Sequence, residues 1–178
     1  MIGTTASRLI IIRGNSGSGK TQLAHEIRHA RPRGVAIISH DILRREILRV
    51  RDHPGALSVE YIDLSARFAL NHGLHVVVEG ILHSEIYGDM LARLVNDHRG
   101  VSRCYRYDLA LAETLRRHRT KPLAAEVSEE QVSSWYRPTD PVEALPELVF
   151  DATVSAETAL DAVLSGVGWE RADEHLDR

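Results

Sequence analysis

The residues Gly14-Asn15-Ser16-Gly17-Ser18-Gly19-Lys20-Thr21 follow the apolar run Leu9-Ile10-Ile11-Ile12 with only Arg13 between them. Glycines at these positions let the main chain turn its N–H groups inward around a polyphosphate, in conformations that side chains resist. Lys20 is then spaced to reach the β- and γ-phosphates, and the Thr21 hydroxyl to hold Mg²⁺. A helix opening near Gly19 adds the positive end of its dipole to the same anion. The chemistry on offer is capture and transfer of a nucleotide phosphoryl group.

Transfer to an alcohol benefits from a carboxylate that orients the hydroxyl and takes its proton. Asp41 in Ile37-Ile38-Ser39-His40-Asp41 stands just past a strand-like run, where open α/β sheets bind their ligands. The alternative role for an aspartate there is to cap the helix beginning at Ile42. Arg44, three residues on, projects from the first turn of that helix towards an anionic acceptor or the transferred phosphate, whereas Arg45 and Arg49 read as solvated surface charges. Glu79 ends the run Val76-Val77-Val78, near the metal or the attacking group, the alternative being a carboxylate that satisfies a neighbouring loop, and Gly80 behind it lets the backbone pass close to a bound group.

A later segment, Glu113-Thr114-Leu115-Arg116-Arg117-His118-Arg119-Thr120-Lys121, concentrates cations that could stabilise charge on the transferring phosphoryl oxygens. Arg117 and Arg119 are the nucleotide-binding candidates, with Lys121 four residues after Arg117 and Arg137 further on; the bland alternative is a solvated charge run. His25-Glu26-Ile27-Arg28-His29 matches a zinc-hydrolase pattern. Leu23, Ile27 and Ala30 mark the core side of that helix, however, which sends both histidines outward.

These groups need a frame. Short β-branched runs at residues 9–12, Val35–Ser39 and residues 75–78 read as buried parallel strands, with Val101–Tyr107 and residues 148–154 as a fourth and fifth. Helical sequence separates them: Leu23 and Ile27 line one face of the first helix, while residues 57–70 carry Tyr61, Leu64 and Phe68 at helical spacing before the Asn71-His72-Gly73 stop. The alternation predicts a parallel sheet covered on both faces. Residues 116–141, charged and containing Pro122, Pro138 and Pro141, interrupt it as a helical insertion expected to fold over a bound nucleotide as a lid, the alternative being a helical surface excursion. A single domain over residues 1–166 and a charged, peripheral tail over 167–178 complete the division. The adenine contact is expected near Asp151-Ala152-Thr153, from position in the chain.

Composition narrows the setting. The formal charge of −3 supplies no broad basic footprint, and 5% aromatic residues supply few platforms for stacking bases, so nucleic acid is disfavoured as a partner. A lone Cys104 excludes an internal disulfide framework and fits a reducing compartment. Four apolar residues interrupted by Arg13 make neither a signal peptide nor a membrane span, and a cytoplasmic location is expected.

With phosphate loop, Asp41-x-x-Arg44, the strand ending in Glu79 and the late arginine-rich segment in this order, the chain resembles the small P-loop kinases. The group includes chloramphenicol phosphotransferase, zeta-toxin-type kinases and the kinase domain of polynucleotide kinases. The resemblance runs from about residue 8 to residue 164. It implies a three-layer α/β/α P-loop NTPase fold with a five-stranded parallel sheet, ATP with Mg²⁺ as donor, and a hydroxyl acceptor deprotonated by Asp41. It further implies Lys20, Thr21 and Arg117 on phosphate and metal, Arg44 beside the acceptor, and Glu79 on the metal side, where related strands more often end in aspartate. The leading expectation is a kinase acting on a small metabolite, nucleoside-like compound or antibiotic. Alternatives are a nucleotide-dependent regulatory ATPase with a protein partner, which needs no acceptor pocket, and a polynucleotide 5′-hydroxyl kinase, which needs a basic groove leading to Asp41.

Overall fold

The computed structural model describes residues 1–31, 33–120 and 127–170. Five strands, β1 (Arg8–Gly14), β2 (Val35–Ser39), β3 (His75–Gly80), β4 (Val101–Tyr107) and β5 (Glu147–Phe150), form one sheet in the order β2-β3-β1-β4-β5. Every pairing is parallel, as the alternation of strand and helix predicts. The helices α1 (Lys20–Ala30), α2 (Leu57–Asn71), α3 (Ser84–Asp97), α4 (Leu111–His118), α5 (Glu129–Trp135) and α6 (Ala156–Gly166) accompany it, with a π-helix at Ile42–Leu48.

The central strand explains the architecture. Leu9, Ile10, Ile11 and Ile12 are all fully buried, because helices cover both faces of β1 and every side chain along it meets apolar neighbours. Leu9 and Ile11 join a core with Val76, Val78, Ile62, Leu91 and Leu94, while Ile10 and Ile12 join a second core with Leu23, Ile27, Phe150 and Val163. These two clusters define the three layers, α/β/α.

Some boundaries differ from those the sequence suggests. The fifth strand stops at Phe150, and residues 151–155 form the loop into α6, because Asp151 accepts hydrogen bonds from the Thr153 N–H and hydroxyl and bends the chain. On α2 the core face carries Ile62, Ala66, Ala69 and Leu70; Leu64 and Phe68 are 62% and 63% exposed. The apolar residues of this helix occupy two stripes, and the smaller-residue stripe is the one that fits closely against the sheet. Val167 and Trp169 are buried against the second core, with Trp169 edge-on to His75 at 4.9 Å and Arg31 over its ring at 5.1 Å. The packed core therefore runs past residue 166, and the rest of the expected tail, 171–178, lies outside the described residues.

Strand order decides what can meet. Glu79 pairs with Ser39 of β2 on one side and Ile12 of β1 on the other. The ends of β2, β3 and β1 thus lie side by side, about 5 Å apart per strand. Asp41, Glu79 and the phosphate loop all leave the sheet from this edge.

Gly80 has a use within the packing itself. The space its Cβ would need is filled by the Cβ of His40, a side chain only 1% exposed. Gly80→Ala should therefore cost about 1–3 kcal/mol of stability through overpacking. A urea midpoint unchanged from that of the parent would refute this reading. No helix among the described residues is long and apolar enough to cross a membrane.

Candidate active site

Between β1 and α1 the loop turns through Gly14, Gly17 and Gly19 at φ 139°, 80° and 110°. At Gly17 a Cβ would lie 2.7 Å from the Thr114 carbonyl oxygen, so the loop can seat α4 only because this residue has no side chain. Lys20 is 7% exposed, and its ammonium donates to the Asn15 carbonyl at 2.8 Å and the Ser18 hydroxyl at 3.3 Å. The first turn of α1 then brings Thr21 to Glu79, its hydroxyl donating to Oε2 at 3.0 Å. Glu79 is itself only 2% exposed. One carboxylate and one hydroxyl, both hard oxygen donors, suit Mg²⁺, which takes its remaining ligands from phosphates and water.

Beside the loop lies a cavity of about 500 Å³, lined by Gly17 to Gly19, Tyr107, Arg116, Arg117 and residues 152–156. Ala152 and Thr153 of the expected adenine contact are among its walls. Arg117 donates to the Ser18 carbonyl at 3.1 Å and to Glu113 at 2.6 Å. Hydrogen bonds from Arg116 and Arg117 hold the Glu113 carboxyl down at about 2. Arg119 is not brought to this cavity: it pairs with Glu129 of α5 at 2.5 Å, because the end of α4 turns its side chain towards the next helix. Lys121 lies outside the described residues.

A second cavity, of about 490 Å³, opens beyond the ends of β2 and β3. Its walls include His40, Arg44, Arg45, Arg51, Asp52, Trp135 and Arg137. Asp41 is not itself among the lining residues, although its flanking His40 and Arg44 are. The Asp41 side chain is 52% exposed, and its Oδ1 is 3.5 Å from Arg45 and 3.8 Å from both Arg44 and His40. It makes no capping hydrogen bond to the π-helix. Arg45, expected on the surface, faces this cavity with its guanidinium 5.0 Å from the centre of the Trp135 ring; Arg49 is exposed as expected. A narrow crevice between the two cavities is walled by Gly14 and Asn15, sharing Tyr107 with the first and Ile81, His83 and Arg137 with the second.

Two supporting networks carry no sequence signature. In the first, Asp52 accepts from the Tyr87 hydroxyl at 2.5 Å and pairs with His40 Nε2 at 3.1 Å and Arg44 Nε at 3.6 Å. Burial pushes the Asp52 carboxyl up, but the hydrogen bonds from His40 and Tyr87 and the charge of Arg44 outweigh it and hold the group at about 2. In the second, Arg13 at the end of β1 is fully buried, donating to Glu147 at 2.5 Å, the Leu82 carbonyl at 2.7 Å and Asp140 at 3.2 Å. Arg106 on β4, the register partner of Arg13, takes the other oxygen of Glu147 at 3.2 Å. Asp140 also accepts from the Ser84 N–H at 3.1 Å.

The segment carrying α4 and α5 is fastened to the phosphate loop on both sides. Arg117 holds Ser18, and beyond α5 the Asn15 amide brackets Arg137, donating to its carbonyl at 2.8 Å and accepting from its N–H at 2.9 Å. His25 and His29 are exposed on the outer face of α1, as the pattern of Leu23 and Ile27 predicts. Among the described residues no group of three or more His, Cys, Asp or Glu is placed to hold a metal ion.

Comparison with known proteins places residues 9–137 within the family described as the AAA domain. No curated protein matched the chain. Among solved structures, the APS kinase of Mycobacterium tuberculosis, in complex with AMPPNP and APS, is similar with a TM-score of 0.70 at 16% identity, over 91% of this chain and 98% of that one. A gluconokinase from Sinorhizobium meliloti 1021 gives 0.61 at 18% identity, over 93% of each chain. The tunicamycin resistance protein of Deinococcus radiodurans gives 0.62 at 14%, over 94% of this chain and 99% of that one. At such identities the likeness is one of fold.

Proposed function

The chain belongs to the AAA domain family, with a P-loop at its centre, and on that premise we propose that it transfers the γ-phosphoryl group of ATP to a hydroxyl of a small molecule. The observation that carries this reading is the pair of cavities, one of about 500 Å³ against the phosphate loop and one of about 490 Å³ beyond the ends of β2 and β3, with the crevice at Gly14 and Asn15 sharing lining residues with both. A regulatory ATPase needs only the first of them. The similar APS kinase structure contains both AMPPNP and APS, and two adjacent cavities are what a reaction of two small substrates requires.

In this reading the triphosphate lies along the loop amides with Lys20 on its terminal phosphates, and Arg117 beside Ser18 meets charge growing on the transferred group. The acceptor occupies the second cavity. Asp41 takes the proton of its hydroxyl as that oxygen bonds to the γ-phosphorus and the bond to the β-bridging oxygen breaks, releasing ADP. Arg44, fixed by Asp52 and by its bond to the Val50 carbonyl at 3.2 Å, holds the acceptor beside that aspartate. Thr21 and Glu79 would hold Mg²⁺, which when bound draws charge from the β- and γ-phosphates.

The test is a screen of sugars, nucleosides, antibiotics and oligonucleotides with labelled ATP, reading which compound acquires the label. Hydrolysis without transfer to any alcohol would favour the regulatory ATPase instead. The α4–α5 segment acts in this scheme as a lid over the bound nucleotide. A magnesium complex of a non-hydrolysable ATP analogue should accordingly slow proteolysis within residues 116–137 by about tenfold or more, the range expected when local opening is suppressed by bound ligand. Identical cleavage with and without the analogue would count against closure.

A further inference from the structure

The second cavity is not electrically neutral. Four arginines, Arg44, Arg45, Arg51 and Arg137, line it against two carboxylates, Asp52 and Glu85. Asp52 is already engaged by His40, Tyr87 and Arg44, and Glu85, 65% exposed, comes no closer than 3.9 Å to Arg137. Arg51 is exposed and has no ion-pair partner among the described residues. The side chain of Arg44, by contrast, is 16% exposed and held from three sides by Asp52, Asp41 and the Val50 carbonyl. One guanidinium is thus pre-positioned at the wall while Arg51 and Arg137 stay exposed. At Arg51 a ligand anion displaces water rather than an existing partner, and at Arg137 it competes only with the contact to Glu85 at 3.9 Å.

The apolar part of the lining is equally specific. Trp135 carries Arg45 on its ring, and Ile81, Ile86 and Pro54 complete the wall. This is room for a compact ring or chain next to the cations, and a volume of about 490 Å³ falls in the range of sites for single small molecules.

We propose that the acceptor is an anionic alcohol: a small molecule that presents its hydroxyl to Asp41 and carries a carboxylate, phosphate or sulfate bound by Arg44, Arg51 and Arg137. The inference rests on the kinase reading but is tested apart from it, by binding. The protein is saturated with magnesium and a non-hydrolysable ATP analogue so that the phosphate loop is filled. Affinities are then measured by calorimetry for matched pairs: a sugar and its sugar acid, and a nucleoside and its 3′-phosphate. A short oligonucleotide with a 5′-hydroxyl is measured alongside.

The charged member should bind about tenfold or more tighter than its neutral partner, on the scale of a charge-assisted contact. In Arg51→Ala and Arg137→Ala, both exposed positions where folding is not at stake, that ratio should fall towards one, with Arg51→Lys recovering part of it. Sugar acid against nucleoside phosphate distinguishes carboxylate from phosphate as the recognised anion. Equal affinity for both members of every pair, no binding by any compound of the panel, or a ratio unaltered in both alanine variants would overturn the proposal. So would an oligonucleotide that binds tighter than every small anion. Tight binding of anionic alcohols, none of which is phosphorylated by ATP, would keep the anion site at Arg44, Arg51 and Arg137 but overturn both the kinase reading and the claim that its ligand is the acceptor.

Discussion

Lys20→Ala is expected to lower kcat/KM for ATP by at least about 10³, the scale seen when a cation or donor on the transferring phosphoryl group is removed. The ammonium is nearly buried inside the loop, 2.8 Å from the Asn15 carbonyl and 3.3 Å from the Ser18 hydroxyl, so it is held where the terminal phosphates would lie. Backbone amides can still cradle part of the anion in the variant. What they cannot replace is a full positive charge in a site shielded from water, where Coulomb interactions exceed their value in solvent. Circular dichroism should report the parent's helix content, since the first turn of α1 keeps its backbone and alanine is a strong helix former. Turnover within tenfold of the parent would leave the scheme without its central interaction.

Asp41→Asn is expected to leave ATP affinity intact and to reduce transfer by about 10²–10⁴, the usual contribution of a general base. The substitution is suited to the question because the Asp41 carboxylate makes no capping hydrogen bond to the helix behind it. Its neighbours are cations at 3.5–3.8 Å, more than half of its side chain is exposed, and the loss of stability should stay within about 0.5 kcal/mol. A structural aspartate would give the opposite pattern, a lowered Tm with the rate preserved. Transfer within a few-fold of the parent, measured with an accepted alcohol, would remove Asp41 from the chemistry. Under the proposed scheme an acceptor in the second cavity would have to extend its hydroxyl towards the strand ends to reach Asp41, because His40 and Arg44 line that cavity and Asp41 does not.

What could be read from the sequence was what is local. The phosphate loop is contiguous, and its glycines are required by backbone conformation, so it is legible without tertiary knowledge. The sheet followed from β-branched runs and their alternation with helices. Glu79 and Thr21 were separately identifiable by position, and the fold brings them within a hydrogen bond. The Asp52–His40–Tyr87 network was not legible, because its members are ordinary residues on three different segments and only packing joins them. Arg13 was likewise invisible as a buried group: the carboxylates that make its burial tolerable, Asp140 and Glu147, arrive from far along the chain. On α2, periodicity located a helix but not its inner face, since Leu64 and Phe68 compete with Ile62 and Ala66 on pattern alone. The contact of Arg45, a third exposed, with Trp135 is not legible either, because that ring belongs to a distant helix.

The solitary thiol has a practical corollary. Cys104 lies in the middle of β4, is 4% exposed, and is pushed up to about 12 by burial, so almost none of it exists as the thiolate that attacks alkylating reagents. The chain is in effect a blank background for labelling. A cysteine introduced at the exposed Glu130 of α5 would take a maleimide dye alone, and its emission could follow the helix as nucleotide is added.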